Sequence, residues 1–121
     1  MPDLSSSKFF TESVTVTSTS ADGSADVIYT VPNNFSSIVR YLLLSNGTAS
    51  TKKCYIQFYH NDDSSYHYLA KGLSMAGNSI KSLSEFGNLN LHEGDKIVAY
   101  IEAGMDLDVT VSVEEYYDPN R

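Results

Sequence analysis

The side chains whose types could carry chemistry are few and dispersed. The 121 residues include three histidines, one cysteine and 15 acidic residues. His60, Asp62, Asp63 and His67 lie within eight residues, and imidazole and carboxylate groups are common metal ligands. Their spacing matches no metal-binding motif, and the same residue types suit an exposed hairpin loop. We therefore expect neither a metal nor another cofactor.

Nucleophilic catalysis also lacks a recognisable arrangement. Cys54 is the single cysteine, which rules out an intramolecular disulfide and favours a small buried hydrophobic residue on a strand. The chain contains no G-x-S-x-G elbow, phosphate-binding P-loop or G-x-G-x-x-G motif. No pair of carboxylates stands out as enclosed by aromatic residues in the manner of a glycosidase. We predict that the protein is not an enzyme.

Tyrosine is the most distinctive residue type, with nine copies against five phenylalanines and no tryptophan. Tyr55, Tyr59, Tyr66 and Tyr68 could meet across neighbouring strands and form an aromatic platform for a sugar. The alternative is a partly hydrated interface with another protein, in which the tyrosine hydroxyls lie at the rim. We favour the interface because exposed aromatic surface more commonly marks contacts between proteins.

The elements that must position these residues are short strands. Segments of alternating or continuous apolar residues at 13–18, 27–31, 37–44, 54–59 and 107–114 are separated by Gly, Pro, Asn and Asp turns. About eight or nine such strands, with a turn every 8–12 residues or so, are typical of a sandwich or a small barrel. We predict an all-β chain with a single antiparallel β-sandwich, either a jelly roll or immunoglobulin-like.

The ends of the chain differ from the predicted sandwich at 13–113. An N-terminal arm at 1–12 and a tail at 114–121 fall outside the strand pattern or at its edge, and each carries an aromatic pair. The strand at 37–44 is apolar on both faces, so a chain segment or a second subunit must cover one of them. The residues predicted to contact another subunit are Phe9, Phe10, Tyr41, Leu43, Tyr116 and Tyr117, with the opposite face of the strand as an alternative.

Charge and hydropathy limit the partners. The net charge of −7 disfavours binding to the phosphates of a nucleic acid. The longest apolar run, at 41–44, is too short to cross a membrane. The first residues lack the basic stretch and apolar core of a secretory signal, so we expect a protein that is made and kept in a cytoplasm or leaves the cell by lysis.

Several short segments in a fixed order carry a family resemblance. They are Tyr-Thr-Val-Pro-Asn at 29–33, Leu-Leu-Leu-Ser-Asn at 42–46, Leu-Ala-Lys at 69–71, Ala-Gly-Asn-Ser at 76–79, Leu-Asn-Leu-His-Glu-Gly-Asp-Lys-Ile at 89–97 and Asp-Val-Thr-Val-Ser-Val-Glu-Glu at 108–115. The order resembles that of the small β-sandwich virion proteins of tailed bacteriophages, including phages of cyanobacteria and marine bacteria. The likeness extends over residues from about 27 to 115.

This resemblance implies a structural part of a virus particle that performs no catalysis. It suggests a capsid decoration (cement) protein that forms homo-oligomers, a trimer if it caps the shell, and that binds virion proteins such as the major capsid protein. Alternatives are a component of the neck, tail or fibres, or a carbohydrate- or receptor-binding module. We expect no nucleic-acid or membrane partner, and a location in the virion after assembly in the host cytoplasm.

Overall fold

The strands were located in a computed structural model that describes residues 3–83 and 88–119, with side chains from residue 8 onward. The described residues form nine strands and one short 3-10 turn, η1 (Asp22–Ser24). The strands are β1 (Asp3–Val16), β2 (Asp26–Thr30), β3 (Phe35–Asn46), β4 (Lys52–His60), β5 (Ser65–Met75), β6 (Ser79–Ser82), β7 (Leu89–Leu91), β8 (Lys96–Ile101) and β9 (Leu107–Tyr117). The prediction of an all-β chain is confirmed.

The strands form two antiparallel sheets that pack face to face. Sheet A has the order β1-β9-β3, and β6 and β7 both pair with the remaining edge of β3. Sheet B has the order β2-β8-β4-β5. When β6 and β7 are counted as one interrupted strand, the first strand pairs with the last, the second with the second last, and so on inwards. This nested pairing is that of a jelly roll, so the strand order decides between the two predicted kinds of sandwich.

The core lies between the sheets and follows the alternation of each strand. In β9, the side chains at 107, 109, 111 and 113 are buried, whereas those between them are exposed or half-buried. In β4, Cys54 and Ile56 are fully buried and Phe58 packs against the same core. The side chains of Cys54, Ile56 and Phe58 therefore share the face of β4 that meets the core, and its tyrosines lie on the other face.

The strands extend beyond the predicted boundaries of the sandwich. Lys8 and Thr11, in the predicted N-terminal arm, pair with Glu115 and Ser112 of β9. The predicted tail at 114–121 likewise begins inside β9, and residues 1, 2, 120 and 121 lie outside the described part. Strands β1 and β9 cross the predicted boundaries at residues 12 and 114, because backbone hydrogen bonds join the two strands irrespective of side-chain polarity. The adjacent residues Phe9 and Phe10 interrupt the alternation of apolar and polar residues that would have indicated a strand there.

The apolar strand predicted at 37–44 corresponds to β3, and both of its faces are apolar in the fold. Leu42 and Leu44 are buried between the sheets, whereas Tyr41 and Leu43 point to the outer side of sheet A. The register with β9 shifts between Val39 and Tyr41, as a β-bulge does. The neighbouring strands cover the edges of β3 but leave its outer face open.

Candidate binding surfaces

Five tyrosines project from the outer side of sheet B, and we call them the tyrosine face. They are Tyr55, Tyr59, Tyr66, Tyr68 and Tyr100. The register sets Tyr59 opposite Tyr66 and Gln57 opposite Tyr68 across β4 and β5, and Tyr55 opposite Tyr100 across β4 and β8. The four tyrosines of the predicted platform thus share one face. Tyr100 was missed because only the strand pairing reveals that β8 lies beside β4.

The rings of the tyrosine face form two groups. In the first group, Tyr55 and Tyr100 stack with ring centroids 4.4 Å apart, and Tyr68 meets Tyr100 edge-on at 6.5 Å. The hydroxyls of Tyr68 and Tyr100 lie 2.6 Å apart and are hydrogen-bonded. In the second group, the centroids of Tyr59 and Tyr66 are 4.8 Å apart. These contacts fix the ring orientations in the free protein.

The first ring group packs against a glycine of the backbone, and the Tyr100 phenol within it is partly shielded from water. Gly72 has a φ of +65°, and a Cβ built there would lie 3.7 Å from Cε2 of Tyr55, so the Tyr55 ring covers this glycine. Burial, followed by the hydrogen bond with Tyr68, raises the pKa of Tyr100 above its usual value.

The loop that contains η1 lies across the centre of sheet B and is hydrogen-bonded to it. The Gln57 Nε2 donates to Oδ1 of Asp22 over 2.8 Å, and the Asp22 backbone N–H donates to Oε1 of Gln57 over 3.0 Å. Gln57 and Val98 are almost fully buried in consequence. The η1 turn is thus tied to the middle of the sheet, and the tyrosines surround this attachment point.

Lysines accompany the tyrosines, although the protein is acidic. Lys71 places its Nζ 5.1 Å from the Tyr68 ring centroid, and Lys96 places its Nζ 5.3 Å from that of Tyr59, both within cation–π range. Strands β4, β5 and β8 contain four lysines and no aspartate or glutamate, in a chain with 15 acidic and 8 basic residues. The Asp22 carboxylate lies at the centre of the face, bonded to Gln57, whereas Asp62, Asp63 and Glu102 lie in the loops beside these strands.

The outer face of sheet A is the second open surface. Phe9 and Ile80 are 68% and 70% exposed, and Tyr41 is 40% exposed. Leu43 and Tyr116 are half-buried on the same face. The Tyr116 hydroxyl donates to Glu114 over 2.9 Å, and Glu114 also forms an ion pair with Arg40. Four of the six predicted interface residues, Phe9, Tyr41, Leu43 and Tyr116, therefore point outwards from sheet A.

The other two predicted interface residues contact their own subunit. The Phe10 ring packs against the core with its centroid 6.2 Å from that of Tyr29. The Tyr117 ring meets Phe35 edge-on at 5.6 Å. Adjacent residues of a strand point to opposite sides, so each aromatic pair divides into an inward and an outward ring. The sequence could not assign these directions without the register.

A buried polar cluster joins the two sheets beside Phe10. The Tyr29 hydroxyl donates to Oε2 of Glu115 over 2.5 Å and is hydrogen-bonded with Oγ of Ser37 at 2.6 Å. All three residues are at most 5% exposed. Burial, followed by the hydrogen bond to Glu115, raises the pKa of Tyr29 well above its usual value. The cluster links β2 of sheet B to β3 and β9 of sheet A.

Among the residues considered for metal binding or nucleophilic chemistry, Asp63 and His67 are hydrogen-bonded to Ser65, and Cys54 is buried in the core. Asp63 accepts a hydrogen bond from the Ser65 hydroxyl, which lowers the pKa of Asp63, and Ser65 also contacts Nε2 of His67. No group of three or more His, Cys, Asp or Glu in the described ranges is arranged to hold a metal ion. Cys54 is fully buried, and burial raises its pKa to about 11.

No protein-family model matches the chain, and no curated protein is similar to it. Within the described residues, no helix has the length and apolar character needed to span a membrane.

Proposed function

We propose that this chain is a non-enzymatic structural protein of a bacteriophage particle, and in the first instance a capsid decoration protein. It forms homo-oligomers and binds virion proteins such as the major capsid protein through the outer face of sheet A. The proposal depends most on one observation, the exposure of the large apolar side chains of Phe9, Tyr41 and Ile80 on a single open sheet face.

Physical arguments support this assignment. Large apolar side chains that are exposed on the same face of a sheet support contact with another protein through that face. Phe9 and Ile80 lie on β1 and β6, at opposite edges of sheet A, so a partner that covers both also covers the central strands. Viral capsid proteins are among the users of the jelly roll, although a fold alone does not determine a function. The resemblance to small phage virion proteins agrees with each of these points.

The proposal is tested by the mass of the protein in solution. Analytical ultracentrifugation should give a multiple of the 13.3 kDa subunit mass, with three subunits if the protein caps the shell. The double variant Phe9→Ser and Tyr41→Ser should shift the protein towards single subunits. Val27→Ser is the matched control, because Val27 is also apolar and 47% exposed but lies on sheet B. A wild-type monomer at high concentration would contradict assembly through sheet A.

The two phenylalanines of β1 should respond differently to substitution. Phe9→Ser should leave the folded subunit intact, because the ring is largely exposed. Phe10→Ser should lower the free energy of unfolding by about 1–3 kcal/mol, because its half-buried ring packs on the core. Chemical denaturation of both variants measures the difference. Equal stability of the two would contradict the assigned ring directions.

A second candidate function concerns the other sheet. The protein could serve in the neck, tail or fibres as a carbohydrate- or receptor-binding module, and lectins also use the jelly roll. The observation that favours this alternative is the tyrosine face, where the four tyrosines of the predicted platform are joined by Tyr100.

A further inference from the structure

We propose that the tyrosine face of sheet B binds a short oligosaccharide that carries carboxylate groups. The inference rests on the second candidate function above and does not depend on assembly through sheet A. Its basis is the combination of preformed ring groups with lysines on strands that contain no acidic residue.

The rings are organised before a ligand arrives. Tyr55, Tyr68 and Tyr100 hold one another by stacking, by an edge contact and by a hydroxyl–hydroxyl hydrogen bond. Tyrosine has few rotatable bonds, so a packed tyrosine surface loses little conformational entropy on binding. The carbon-bound hydrogens of a sugar can rest on such rings while its hydroxyls bond to the phenol oxygens. Each phenol both donates and accepts, which suits a hydroxyl-rich ligand.

The lysines select for a negative charge beside the stacked sugar. Lys71 and Lys96 each lie over a tyrosine ring, so that an ammonium group and an aromatic surface are presented side by side. A sugar acid carries its carboxylate next to its apolar ring face and can therefore meet both groups at once. The Asp22 carboxylate lies between the two ring groups, bonded to Gln57, so the carboxylates of the ligand would lie beside the lysines and away from this centre.

The size of the face favours several linked sugars over a single one. Tyr55 and Tyr59 are four residues apart on β4, which corresponds to about 13 Å along a strand. Each belongs to a different ring group, and each group has its own lysine. An oligosaccharide that passes beside the η1 turn, which covers Gln57 between the two groups, would therefore meet two sets of rings and two ammonium groups.

A single-stranded nucleic acid is the competing ligand, since such polymers also stack on aromatic side chains beside basic residues. The net charge of −7 opposes it, because a strand carries a phosphate at every nucleotide and the protein repels it beyond the face itself. A sugar acid differs from a nucleotide in carrying several hydroxyls beside its single charge, and these hydroxyls can bond to the phenol oxygens. The observations therefore favour the sugar.

The test is a titration of the full chain at low salt with three defined probes, by calorimetry and by NMR. The probes are hexagalacturonate, its fully methyl-esterified neutral form, and a twelve-nucleotide oligo-dT. We expect hexagalacturonate to bind, the neutral form to bind about tenfold more weakly, and the oligonucleotide to bind more weakly still. The double variant Lys71→Ala and Lys96→Ala should weaken hexagalacturonate binding about fivefold to tenfold, since exposed charge pairs contribute modestly.

The control variant is Lys81→Ala, which removes a lysine from β6 of sheet A and should leave binding unchanged. NMR spectra of each variant show directly that it is folded. Failure of hexagalacturonate to bind at millimolar concentration would overturn the proposal, as would equal binding of the neutral form or tighter binding of oligo-dT. Ultracentrifugation of the same samples reports the oligomeric state separately, so a failure here is distinct from a failure of assembly through sheet A.

Discussion

Removal of one hydroxyl from the buried cluster between the sheets tests the packing of the sandwich. The variant Tyr29→Phe keeps the ring and its contact with Phe10 but deletes the phenol oxygen. That oxygen bonds with both Glu115 and Ser37 at distances of 2.5 and 2.6 Å. Because all three residues are almost fully buried, water cannot replace the lost partner without local rearrangement.

The size of the effect follows from the charge of the acceptor. Hydrogen bonds to charged groups contribute about 1.5–3 kcal/mol, and a buried acceptor that loses its donor retains its desolvation penalty. We expect Tyr29→Phe to reduce the free energy of unfolding by about 2 kcal/mol. For a chain of this length the melting temperature should fall by about 6–12 °C.

The assay is urea denaturation monitored by circular dichroism, at pH 7 and again near pH 10. Tyr41→Phe is the matched control, because it removes a phenol from the outer face of sheet A and should change stability by less than about 0.5 kcal/mol. A loss below about 0.5 kcal/mol in Tyr29→Phe at pH 7 would refute the reasoning. The double variant with Glu115→Gln should be less destabilised than the sum of the two single changes, since both remove the same bond.

The pH dependence has a defined sign. Burial and Glu115 raise the pKa of Tyr29 in the folded protein, whereas the unfolded chain ionises near pH 10. The protonated phenol therefore contributes stability that is fully present below about pH 10 and is lost as the pH rises above it. Tyr29→Phe lacks this contribution, so the stability difference between wild type and variant should shrink above pH 10.

Two further predictions concern close packing and burial. Gly77→Ala should destabilise the protein by about 1–3 kcal/mol, because an added Cβ would lie 2.2 Å from the Ala49 carbonyl oxygen. Gly23→Ala is the control for the same denaturation experiment and should be close to neutral, because the nearest atom to its Cβ would lie 3.9 Å away. Cys54 should resist iodoacetamide at pH 8 in the folded protein, because it is fully buried and its pKa is raised to about 11. It should react once urea unfolds the protein. Rapid labelling without urea would contradict the placement of Cys54 in the core.

The local residue patterns predicted the strands, but they could not predict which strands pair with one another. The alternation at 107–113 corresponds to β9 because one of its faces is buried against sheet B, and periodicity reports burial directly. The choice between a jelly roll and an immunoglobulin-like sandwich depends on which distant strands pair. For β1 and β9 that pairing joins residues about 100 positions apart, which no local pattern encodes.

The candidate surfaces show the same limit. Tyr55, Tyr59, Tyr66 and Tyr68 were recognisable as a group because β4 and β5 are joined by a short hairpin. Tyr100 joins them through the pairing of β8 with β4, across more than forty residues of chain. The inward direction of Phe10 was equally out of reach, since it depends on the alignment of β1 with β9.

The measurement that tests the proposed structural role most directly is the copy number of this chain in purified particles of a phage that carries its coding sequence. Quantitative mass spectrometry against the major capsid protein provides the ratio. A capsid decoration protein should be present at a ratio near that of the capsid protein, whereas a few per cent would indicate the neck, tail or fibres. Absence of the chain from purified particles would contradict the proposed structural role.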